Sequence, residues 1–395
     1  MSSSKRRHQS RWTDKQRTVV ALLISNLEYG GAQRQLVALA NNLPENDYEV
    51  HVVSMSEFVP LAEDLKSSAN RFHILPKKRK YDVGLVWRLS LLLRNLKVDV
   101  VHGFLFDAEI AGRVASQIAG VKRFIGSERN SDYVIKKNQR IAYKLTKYFR
   151  YHCIANSSAG AKFNAAELGY PQSHYTSVRN SVDLERFKPG RSESVRLELG
   201  ISESDFLIGM FAAFKTQKNH IQLLRAIRIL KEQSRNLRVL LVGDILHGGA
   251  QDTGSYYENV RQTMREFDIS DLCILIGNLD NVEDYYRACD LTVLPSLFEG
   301  TPNVVLESMA CGVAPVVTDV SDNRIIVKDG KTGFVVSVDD HEELASQIAT
   351  CQQDLEFCRE LGRAARRDAE ERFSPAKLAR ETAAVYRRVL ESCQG

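Results

Sequence analysis

Residues 291–312 read LTVLPSLFEGTPNVVLESMACG, a buried strand that leads into a helix. We expect the helix to begin at Thr301 and Pro302, because threonine caps helices well and proline is favoured at the first helical position. Such a helix start offers free backbone amides and the positive end of the helix dipole, which together bind phosphate. Two carboxylates, Glu299 and Glu307, flank the start. The segment therefore predicts an anion site with a carboxylate on each side.

Short apolar, β-branched runs alternate with helical patterns along the chain. They lie at 19–24, 49–55, 98–104, 124–126, 153–156, 206–211, 237–242, 273–276, 291–294 and 315–318. This alternation predicts an α/β protein whose parallel strands are joined by crossover helices. The pattern stops over the turn-rich stretch 179–190 and then restarts, so the sequence predicts two Rossmann-like domains.

The two ends of the chain depart from this pattern. Residues 1–17 are polar and basic and can bury almost nothing, so we expect a disordered tail. The remaining pattern predicts domains at 18–185 and 186–374. Residues 375–395 have apolar positions at helical spacing and predict a C-terminal helix that packs back towards the N-terminal domain.

The composition narrows the class of protein. A chain of 395 residues suits two domains, and 44% hydrophobic with 26% charged residues is typical of a globular protein. A net charge of +5 is too small to indicate nucleic acid binding. The seven cysteines lack the spacing of zinc or disulfide sites. No apolar run approaches the roughly 20 residues of a membrane span. We therefore expect a cytoplasmic protein, either free or peripheral on the inner face of a membrane.

Four segments resemble motifs of family 4 glycosyltransferases, and they occur in the family's order. They are the linker 180–189, the strand end 241–244, the pair Glu299 and Glu307, and the turn 329–335. Two such glutamates alone are more often a surface residue and an ion-paired helical residue, but the four motifs together favour the family. The resemblance implies a retaining glycosyltransferase of the GT-B architecture, in which two Rossmann-like domains face a cleft and a C-terminal helix crosses back.

The resemblance also implies how the substrates bind. The first domain would bind the acceptor, a glycan or lipid-linked hydroxyl, and the second a nucleotide diphosphate sugar, with UDP-sugar favoured over GDP-sugar. Glu299 would contact the transferred sugar and Glu307 the ribose. The implied donor-binding residues are Gly30, Gly31, Lys215, Lys218, Asn278, Leu279, Glu299, Gly300, Thr301, Asn303, Val304 and Glu307. The implied catalytic residues are Glu299, Lys218 and Arg129.

Residues 211–220, FAAFKTQKNH, resemble a family segment whose arginine and lysine neutralise the leaving diphosphate. Lys218 matches the lysine, whereas Ala213 stands at the arginine position and Lys215 is the nearest replacement cation. Fixed cations there would stabilise the charge that develops in the transition state. The alternative is a pair of lysines in a solvated turn.

Fewer features of the sequence indicate which residues bind the acceptor. Family members often place a sugar-binding histidine after a strand of the first domain, but this chain has Glu128 and Arg129 at that place. We therefore expect Arg129 in the cleft. We assign His102, Asp107 and Glu128 to the acceptor side, although a lone histidine at a strand end is more often a core residue.

The sequence predicts neither a cofactor nor a metal. Gly30 and Gly31 follow the first strand, but the complete G-x-G-x-x-G pattern of a dinucleotide site is missing. The sequence also lacks the Asp-x-Asp pair that holds a divalent ion against a sugar nucleotide, and it lacks close histidine or cysteine pairs. We expect a metal-independent enzyme whose nucleotide sugar is a co-substrate.

A basic segment spans residues 133–152, with six lysines and arginines and no acidic residue. Helical spacing predicts one face with Lys136, Arg140, Lys144 and Lys147. Such a face suits an anionic membrane, where each basic residue contributes about 1 kcal/mol. The alternative, an amphipathic helix with a solvated basic face, stays open.

Two other functions fit the same architecture. One is a sugar nucleotide epimerase or a glycan phosphorylase. The other is a non-catalytic partner that binds a sugar nucleotide, which Ala213 and the missing histidine favour.

Overall fold

The computed structural model describes residues 17–66, 71–79, 82–121, 123–129, 135–147, 149, 151–233, 236–244 and 253–392. Residues 1–16 of the predicted tail lie outside this part of the chain. The same holds for residues 133, 134, 148 and 150 of the predicted basic segment.

In the described part of the chain, the first sheet has seven strands, all parallel. They are β1 (Thr18–Ile24), β2 (Tyr48–Ser54), β3 (Phe72–Ile74), β4 (Val100–Phe104), β5 (Phe124–Glu128), β6 (Tyr151–Ala155) and β7 (Tyr175–Ser177). The crossing helices are α1 (Gly31–Asn42), α2 (Val83–Asn95), α3 (Phe106–Ala119), α4 (Lys137–Leu145) and α5 (Ser158–Leu168). The strand order is β3-β2-β1-β4-β5-β6-β7, so β1 and β4 lie beside each other.

Helices cover both faces of this sheet, which explains why its strands are apolar almost throughout. Successive strand residues point to opposite faces, and Leu22 and Leu23 of β1 belong to different cores. α2, α3 and α5 pack on the core that contains Leu23. α1 packs on the core that contains Leu22.

Among the same described residues, the second sheet has six strands, also parallel. Its elements are α6 (Glu193–Glu198), β8 (Phe206–Phe211), α7 (His220–Lys231), β9 (Leu237–Val242), α8 (Thr253–Glu266), β10 (Cys273–Ile276), α9 (Val282–Ala288), β11 (Leu291–Leu294), α10 (Asn303–Ala310), β12 (Ala314–Thr318), α11 (Asn323–Ile326), β13 (Phe334–Val336), α12 (His341–Gln353) and α13 (Leu355–Arg372). The strand order is β10-β9-β8-β11-β12-β13. The two parallel sheets confirm the predicted α/β class.

The last helix, α14 (Pro375–Glu391), crosses back to the first domain. Ser374 caps it by accepting a hydrogen bond from the amide of Lys377. Its residues Ala383 and Tyr386 are buried in the core that contains α1. The hydroxyl of Tyr48 donates to the carbonyl of Ala383 at 3.4 Å, which ties α14 to the start of β2.

The helix after β11 begins later than the sequence predicts. Asn303 is the first residue of α10, and Pro302 occupies the cap position with an extended backbone (φ −72°, ψ 115°). Thr301 does not cap the helix, because its hydroxyl donates instead to the carbonyl of Asn156 at 2.5 Å. The amides at the helix start therefore have no side-chain cap within the described residues.

The predicted basic face of α4 is also different. Arg140 is half-buried and pairs with Glu167 of α5, so it does not belong to a free face. The side chain of Lys147 is exposed, and its ammonium lies 5.8 Å from the centre of the Tyr170 ring. Lys136, at the cap position of α4, and Lys144 are exposed, as predicted. The other exposed residues of α4 are Lys137, Asn138, Ile141 and Leu145. Within the described ranges, no helix is long and apolar enough to cross a membrane.

Candidate functional site

A cleft of about 940 Å³ opens between the two domains, at the carboxyl ends of both sets of strands. Ligands bind at this edge of open parallel sheets, because the loops there carry helix starts and free polar groups. Arg129 lines the cleft, as does the whole predicted donor-binding set. That set is Gly30, Gly31, Lys215, Lys218, Asn278, Leu279, Glu299, Gly300, Thr301, Asn303, Val304 and Glu307.

Glu299 lies deep in the cleft, in the loop after β11, and is 5% exposed. Lys218 Nζ donates to Glu299 Oε1 at 2.5 Å, and Ser296 Oγ donates to the same oxygen at 2.7 Å. The backbone amide of Glu299 donates to Ser321 Oγ at 3.3 Å. These contacts fix the carboxylate on one side. No described residue donates to its Oε2 atom, which leaves that oxygen for a ligand.

Lys215 precedes a short 3-10 turn after β8, and Lys218 is the last residue of that turn. Gln217 fixes this turn to the loop of Glu299, because its carbonyl accepts from the amide of Leu297 at 2.8 Å. The ammonium of Lys218 therefore lies beside the Glu299 carboxylate. Lys215 is half-buried in the cleft wall and forms no ion pair with any described residue. The turn thus presents one paired and one unpaired cation.

The start of α10 contacts both the linker and the first domain. Asn180 Nδ2 donates to Asn303 Oδ1 at 2.8 Å and to the carbonyl of Thr301 at 3.0 Å. Gln35 of α1 donates to Asn303 Oδ1 at 3.4 Å. A Cβ atom on Gly31 would lie 2.9 Å from Asn303 Nδ2, so glycine lets the starts of α1 and α10 approach closely. Two helix starts thus direct their positive ends at the same part of the cleft.

Glu307 lies in the second turn of α10. Tyr286 donates a hydrogen bond to Glu307 Oε2 at 3.0 Å, and Tyr286 is fixed by stacking on Phe211 with ring centres 3.8 Å apart. Burial raises the pKa of Glu307 above its usual value, although the Tyr286 hydrogen bond and the charges of Arg34 and Arg186 act in the opposite direction. The carboxyl is therefore a firmly oriented acceptor whose charge responds to pH.

One end of the cleft is built by the loops after β9 and β10. Asn278 Nδ2 donates to Asp244 Oδ2 at 3.0 Å and joins the two loops. A Cβ atom on Gly243 would lie 2.0 Å from the carbonyl oxygen of Ala212, so only glycine allows β8 and β9 to end this close together. Asn278 and Leu279 form the adjacent wall, where the sequence predicts the nucleotide base.

Arg129 lies in the first domain's wall of the cleft. Its Nε donates to Ser127 Oγ at 2.7 Å, and its Nη1 donates to Asn180 Oδ1 at 2.9 Å. Its Nη2 atom is buried and has no partner among the described residues. Burial lowers the pKa of Arg129 to about 10, so the guanidinium stays charged at neutral pH. Asn180 thereby connects this cation to the start of α10.

The three predicted acceptor-side residues do not line the cleft. His102 is fully buried and its Nδ1 lies 2.8 Å from the hydroxyl of Tyr386, because β4 is a central strand covered by α14. Burial holds the pKa of His102 well below its usual range, and the imidazole is neutral. Asp107 is exposed and accepts a hydrogen bond from Lys77 at 2.6 Å. Glu128 is half-buried at the end of β5. The placement of His102 corrects the prediction that it lies at the acceptor site.

Sequence reasoning missed several residues of the cleft wall. Asn156 follows β6, its side chain donates to the carbonyl of Arg129 at 3.3 Å, and its backbone accepts from Thr301. Asn180 is the first residue of the linker motif, so the sequence singled it out, but the motif did not predict that Asn180 lines the cleft. Arg34 and Arg186 also line the cleft. They lie far apart in sequence, so only the fold brings them near Glu307.

A carboxylate of the second domain also contacts a helix start of the first domain. Asp322, in the loop after β12, accepts from the amides of Ser158 at 2.9 Å and Ala159 at 3.3 Å, the first two residues of α5. Arg179 also donates to Asp322, at 3.4 Å. A negative side chain at a helix start is stabilising, so this contact favours the closed arrangement of the domains.

Among the residues that the structure describes, no group of three or more histidine, cysteine, aspartate or glutamate side chains is placed to hold a metal ion. Metal independence stays a prediction from the sequence.

Two family models match the chain. The model for Glycosyltransferase Family 4 matches residues 29–186, and the model for Glycosyl transferases group 1 matches residues 192–368. The first match begins after β1 and covers the other strands of the first sheet, the second match covers the second sheet, and the boundary between the matches lies at residues 187–191. Fold, cleft and matches define an enzyme of the glycosyltransferase class with the GT-B architecture. The chain belongs to the family 4 glycosyltransferases.

Two named relatives cover more than four fifths of the chain at low identity. One is the Escherichia coli UDP-Gal:alpha-D-GlcNAc-diphosphoundecaprenol alpha-1,3-galactosyltransferase, 23% identical over 82% of this chain and 85% of its own length. Another is the N-acetyl-alpha-D-glucosaminyl L-malate synthase of Bacillus anthracis, 23% identical over 91% of this chain and 94% of its own.

The fold is also that of solved structures. Anabaena HepE in complex with UDP-glucose superposes with a TM-score of 0.80 at 21% identity, over 94% of this chain and 99% of that chain. Sucrose-phosphate synthase from Thermosynechococcus elongatus gives a TM-score of 0.77 at 17% identity, over 95% of this chain and 100% of that chain. At such identities the likeness shows the fold alone.

Proposed function

We propose that this glycosyltransferase moves a sugar from a UDP-sugar to a hydroxyl acceptor with retention of configuration at the anomeric carbon. The observation that carries the proposal is the arrangement of a buried carboxyl, Glu299, and a half-buried one, Glu307, around one uncapped helix start. Glu299 lies before the start of α10 and Glu307 lies one turn inside it, with Lys218 bound to the first. UDP is favoured because Anabaena HepE, which shares the fold, has been solved with UDP and with UDP-glucose.

The donor binds along the cleft in the order base, ribose, diphosphate, sugar. The base contacts the wall of Asn278 and Leu279, and the ribose hydroxyls donate to Glu307. The diphosphate accepts from the free amides of Asn303 and Val304, where the helix dipole also favours negative charge. This order brings the sugar beside Glu299 and the open oxygen of its carboxylate.

Charge moves onto the diphosphate as its bond to the anomeric carbon breaks. Lys215 and Lys218 stabilise that charge more in the transition state than in the ground state. Lys215 is a point charge and replaces the arginine of the family segment, which would bind in a bidentate way. Glu299 stabilises the positive charge that develops on the sugar ring. The acceptor oxygen then bonds to the anomeric carbon, and its proton leaves with the UDP.

The acceptor binds against the first domain, where the loops after β1 and β5 and residue Arg129 form the opposite wall. We propose a glycan or lipid-linked hydroxyl, because the Escherichia coli relative is named for an acceptor linked to diphosphoundecaprenol. The Nη2 atom of Arg129, for which the described part of the chain offers no partner, supplies a charged donor at that wall.

Thermal unfolding with UDP, GDP, ADP and their sugars tests the donor site. A ligand that binds only the folded state stabilises it by about 2.7 kcal/mol at one hundred times its Kd. We expect UDP to raise Tm more than GDP or ADP, and Glu307→Gln to remove most of that rise. Glu342→Gln, which changes an exposed carboxylate on α12, serves as the matched control.

Product analysis tests the chemistry. With a UDP-sugar that has an α anomeric bond, the coupling constant of the product's anomeric proton should report an α glycoside. A β product would overturn retention. The absence of stabilisation by any of the nucleotides would overturn the donor site, and stabilisation by UDP without transfer to a range of acceptors would favour a non-catalytic binding partner.

A further inference from the structure

Three apolar residues of the first domain line one part of the cleft. Tyr29 lies in the loop after β1, Leu61 in the loop after β2, and Leu105 directly follows β4. Leu61 is buried and Leu105 is half-buried, whereas Tyr29 is 70% exposed. Within the described ranges, the Tyr29 side chain has neither a hydrogen-bond partner nor an aromatic neighbour. We call these three residues the apolar wall, and its open tyrosine ring is available to a ligand of the cleft.

Contacts between the loops hold the apolar wall in place. The amide of Leu61 donates to the carbonyl of Leu27 at 3.2 Å, which joins the loop after β2 to the loop after β1. The amide of Ala108 donates to Ser25 Oγ at 3.2 Å, which joins the start of α3 to that same loop. The wall is therefore built before a ligand binds, and little loss of freedom opposes binding there.

Leu105 has a backbone conformation that side chains strongly disfavour. Its φ of 67° and ψ of 153° lie outside the regions open to L-residues, where glycine is the residue found in practice. Such strain costs stability and is concentrated at ligand sites. The Leu105 side chain packs on the core that contains α1, and it also lines the cleft. The presence of leucine at a position suited to glycine indicates a use for this side chain.

The apolar wall lies at the point where the strand order of the first sheet reverses. β1 and β4 are neighbours there, with Ile24 beside Phe104. Ligands of open parallel sheets bind outside the carboxyl ends of such a pair of strands. In the second sheet the equivalent pair is β8 and β11, and the loops after these strands carry Lys218 and Glu299. A ligand on the apolar wall would therefore share the cleft with the carboxylate proposed to stabilise the transferred sugar.

Polar side chains border the apolar wall. Asp64, at the end of the same 3-10 turn as Leu61, lines the cleft, and its exposed carboxylate forms no ion pair with any described residue. Gln33 also lines the cleft and is held by a hydrogen bond from its Nε2 to Asn26 Oδ1 at 2.7 Å. A ligand that fits this place has one apolar face and hydrogen-bond donors around its edge.

We propose that the apolar wall binds a pyranose ring of the acceptor, with Tyr29 stacked on the apolar face of that ring. This inference rests on the proposed transfer of a sugar to a hydroxyl. One face of a pyranose is made of C–H groups, which the negative face of an aromatic ring attracts, and hydroxyl donors surround it. A hydroxy acid or a phosphate would instead bring negative charge towards Asp64. The acceptor is therefore a sugar, and Tyr29 is a specificity-determining residue.

Saturation-transfer NMR tests binding without any need for turnover. The samples contain the full chain, UDP and methyl glycosides of glucose, galactose or N-acetylglucosamine, with L-malate and glycerol as comparison ligands. We expect saturation to reach the C–H protons on one face of at least one glycoside, and to reach L-malate and glycerol far less. Methyl and octyl glycosides of the same sugar distinguish a free glycan from a lipid-linked one as the source of the ring.

Substitution of Tyr29 gives the magnitude. Tyr29→Ala should weaken binding of the glycoside about tenfold, and Tyr29→Phe should restore most of the affinity because it keeps the ring face. In rate measurements, Tyr29→Ala should raise the KM for the glycoside more than it lowers kcat. The matched control is Phe58→Ala, which removes an aromatic ring that is 62% exposed in the loop after β2 but does not line the cleft.

Two substitutions at Leu105 separate strain from ligand contact. Leu105→Gly and Leu105→Ala both remove the contacts of the leucine side chain, so both should weaken binding of the glycoside. Leu105→Gly should nevertheless have the higher Tm, because glycine adopts this backbone conformation without the strain that alanine keeps. Glycoside binding at the parent affinity in both variants would show that the apolar wall is not the site.

Three other results would overturn the proposal. They are the absence of saturation transfer to every glycoside in the parent protein, an unchanged glycoside affinity in Tyr29→Ala, and stronger binding of L-malate than of any glycoside. The last result would assign the cleft to a hydroxy acid acceptor. Stabilisation by UDP is measured without glycoside in the same variants, so a failure of the donor site is distinguished from a failure of the apolar wall.

Discussion

Replacing Lys218 with methionine tests the centre of the cleft most directly. Methionine keeps most of the volume of the side chain but removes the ammonium that donates to Glu299 Oε1 at 2.5 Å. The Glu299 carboxylate, 5% exposed in the parent protein, would keep Ser296 as its side-chain donor among the described residues. We expect the substitution to lower the free energy of unfolding and, separately, to lower kcat.

The size of each effect follows from the exposure of the ion pair and from the typical energies of such contacts. Loss of one partner of a buried ion pair costs about 3–5 kcal/mol, but water can enter here because the Lys218 side chain is 19% exposed, so we expect about 1–3 kcal/mol. Loss of a fixed charge opposite the charge that develops in the transition state lowers kcat by about 10²–10³-fold. KM should change much less, since in the proposed complex Lys215 and the start of α10 would still bind the diphosphate.

The assay compares the parent with Lys218→Met, Glu299→Gln and the double variant, by initial rates with UDP-sugar and by thermal unfolding. The double variant should be more stable than Lys218→Met, because a neutral amide no longer needs a cation. Turnover should stay low in all three. Lys188→Met, at an exposed lysine outside the cleft, should behave as the parent. If Lys218→Met kept kcat within about threefold of the parent value, the placement of the diphosphate would be refuted.

Two further predictions concern nucleotide binding and domain closure. Burial raises the pKa of Glu307 in the folded protein above its value in the unfolded chain. Proton binding to Glu307 therefore stabilises the folded protein at low pH, and this stabilisation is lost as pH rises through the folded pKa. In the proposed complex the ionised carboxyl accepts the ribose hydroxyls, so UDP affinity should fall as pH decreases through the raised pKa of Glu307. Glu307→Gln should remove this pH dependence, and without nucleotide at neutral pH it should be at least as stable as the parent. Asp322→Asn removes the charge at the start of α5, so we expect a more open enzyme with kcat/KM lower by about tenfold, seen as a larger radius of gyration in X-ray scattering.

The controls separate these effects from general damage. Glu342→Gln should retain the pH dependence of UDP binding, and an unchanged dependence in Glu307→Gln would contradict the ribose assignment. Asp319→Asn changes an exposed carboxylate in the same loop as Asp322 and should leave the scattering unchanged. An Asp322→Asn enzyme as compact and as active as the parent would show that the contact with α5 does not hold the domains together.

The fold was predictable where strands were long and apolar. The runs at 206–211, 237–242 and 273–276 match β8, β9 and β10 residue for residue. β3 and β7 were missed, because each has three residues and lies at an edge of the sheet, where a run is too short to show a period. The start of α10 was placed too early, since the Thr301 hydroxyl bonds to Asn156 of the other domain.

Some residues of the cleft could likewise be predicted from the sequence, and others could not. Glu299, Glu307 and Lys218 stand in local motifs, so their positions in the cleft followed from the sequence. Arg34 and Asp322 did not, because their contacts join residues of different domains. His102, by contrast, was assigned to the acceptor side although it is buried in the core. Its place at the end of a strand suggested a ligand, but burial under Tyr386 depends on a helix 284 positions away in the chain.

The return of α14 to the first domain has a consequence for the order of folding during synthesis. A ribosome makes the first domain's strands and helices well before residues 375–391, yet Leu378, Ala383 and Tyr386 belong to that domain's core. N-terminal domains usually fold as units while the rest of the chain is still being made. Here the first domain keeps an uncovered apolar face until α14 leaves the exit tunnel, so the nascent chain exposes an aggregation-prone surface during the whole synthesis of the second domain.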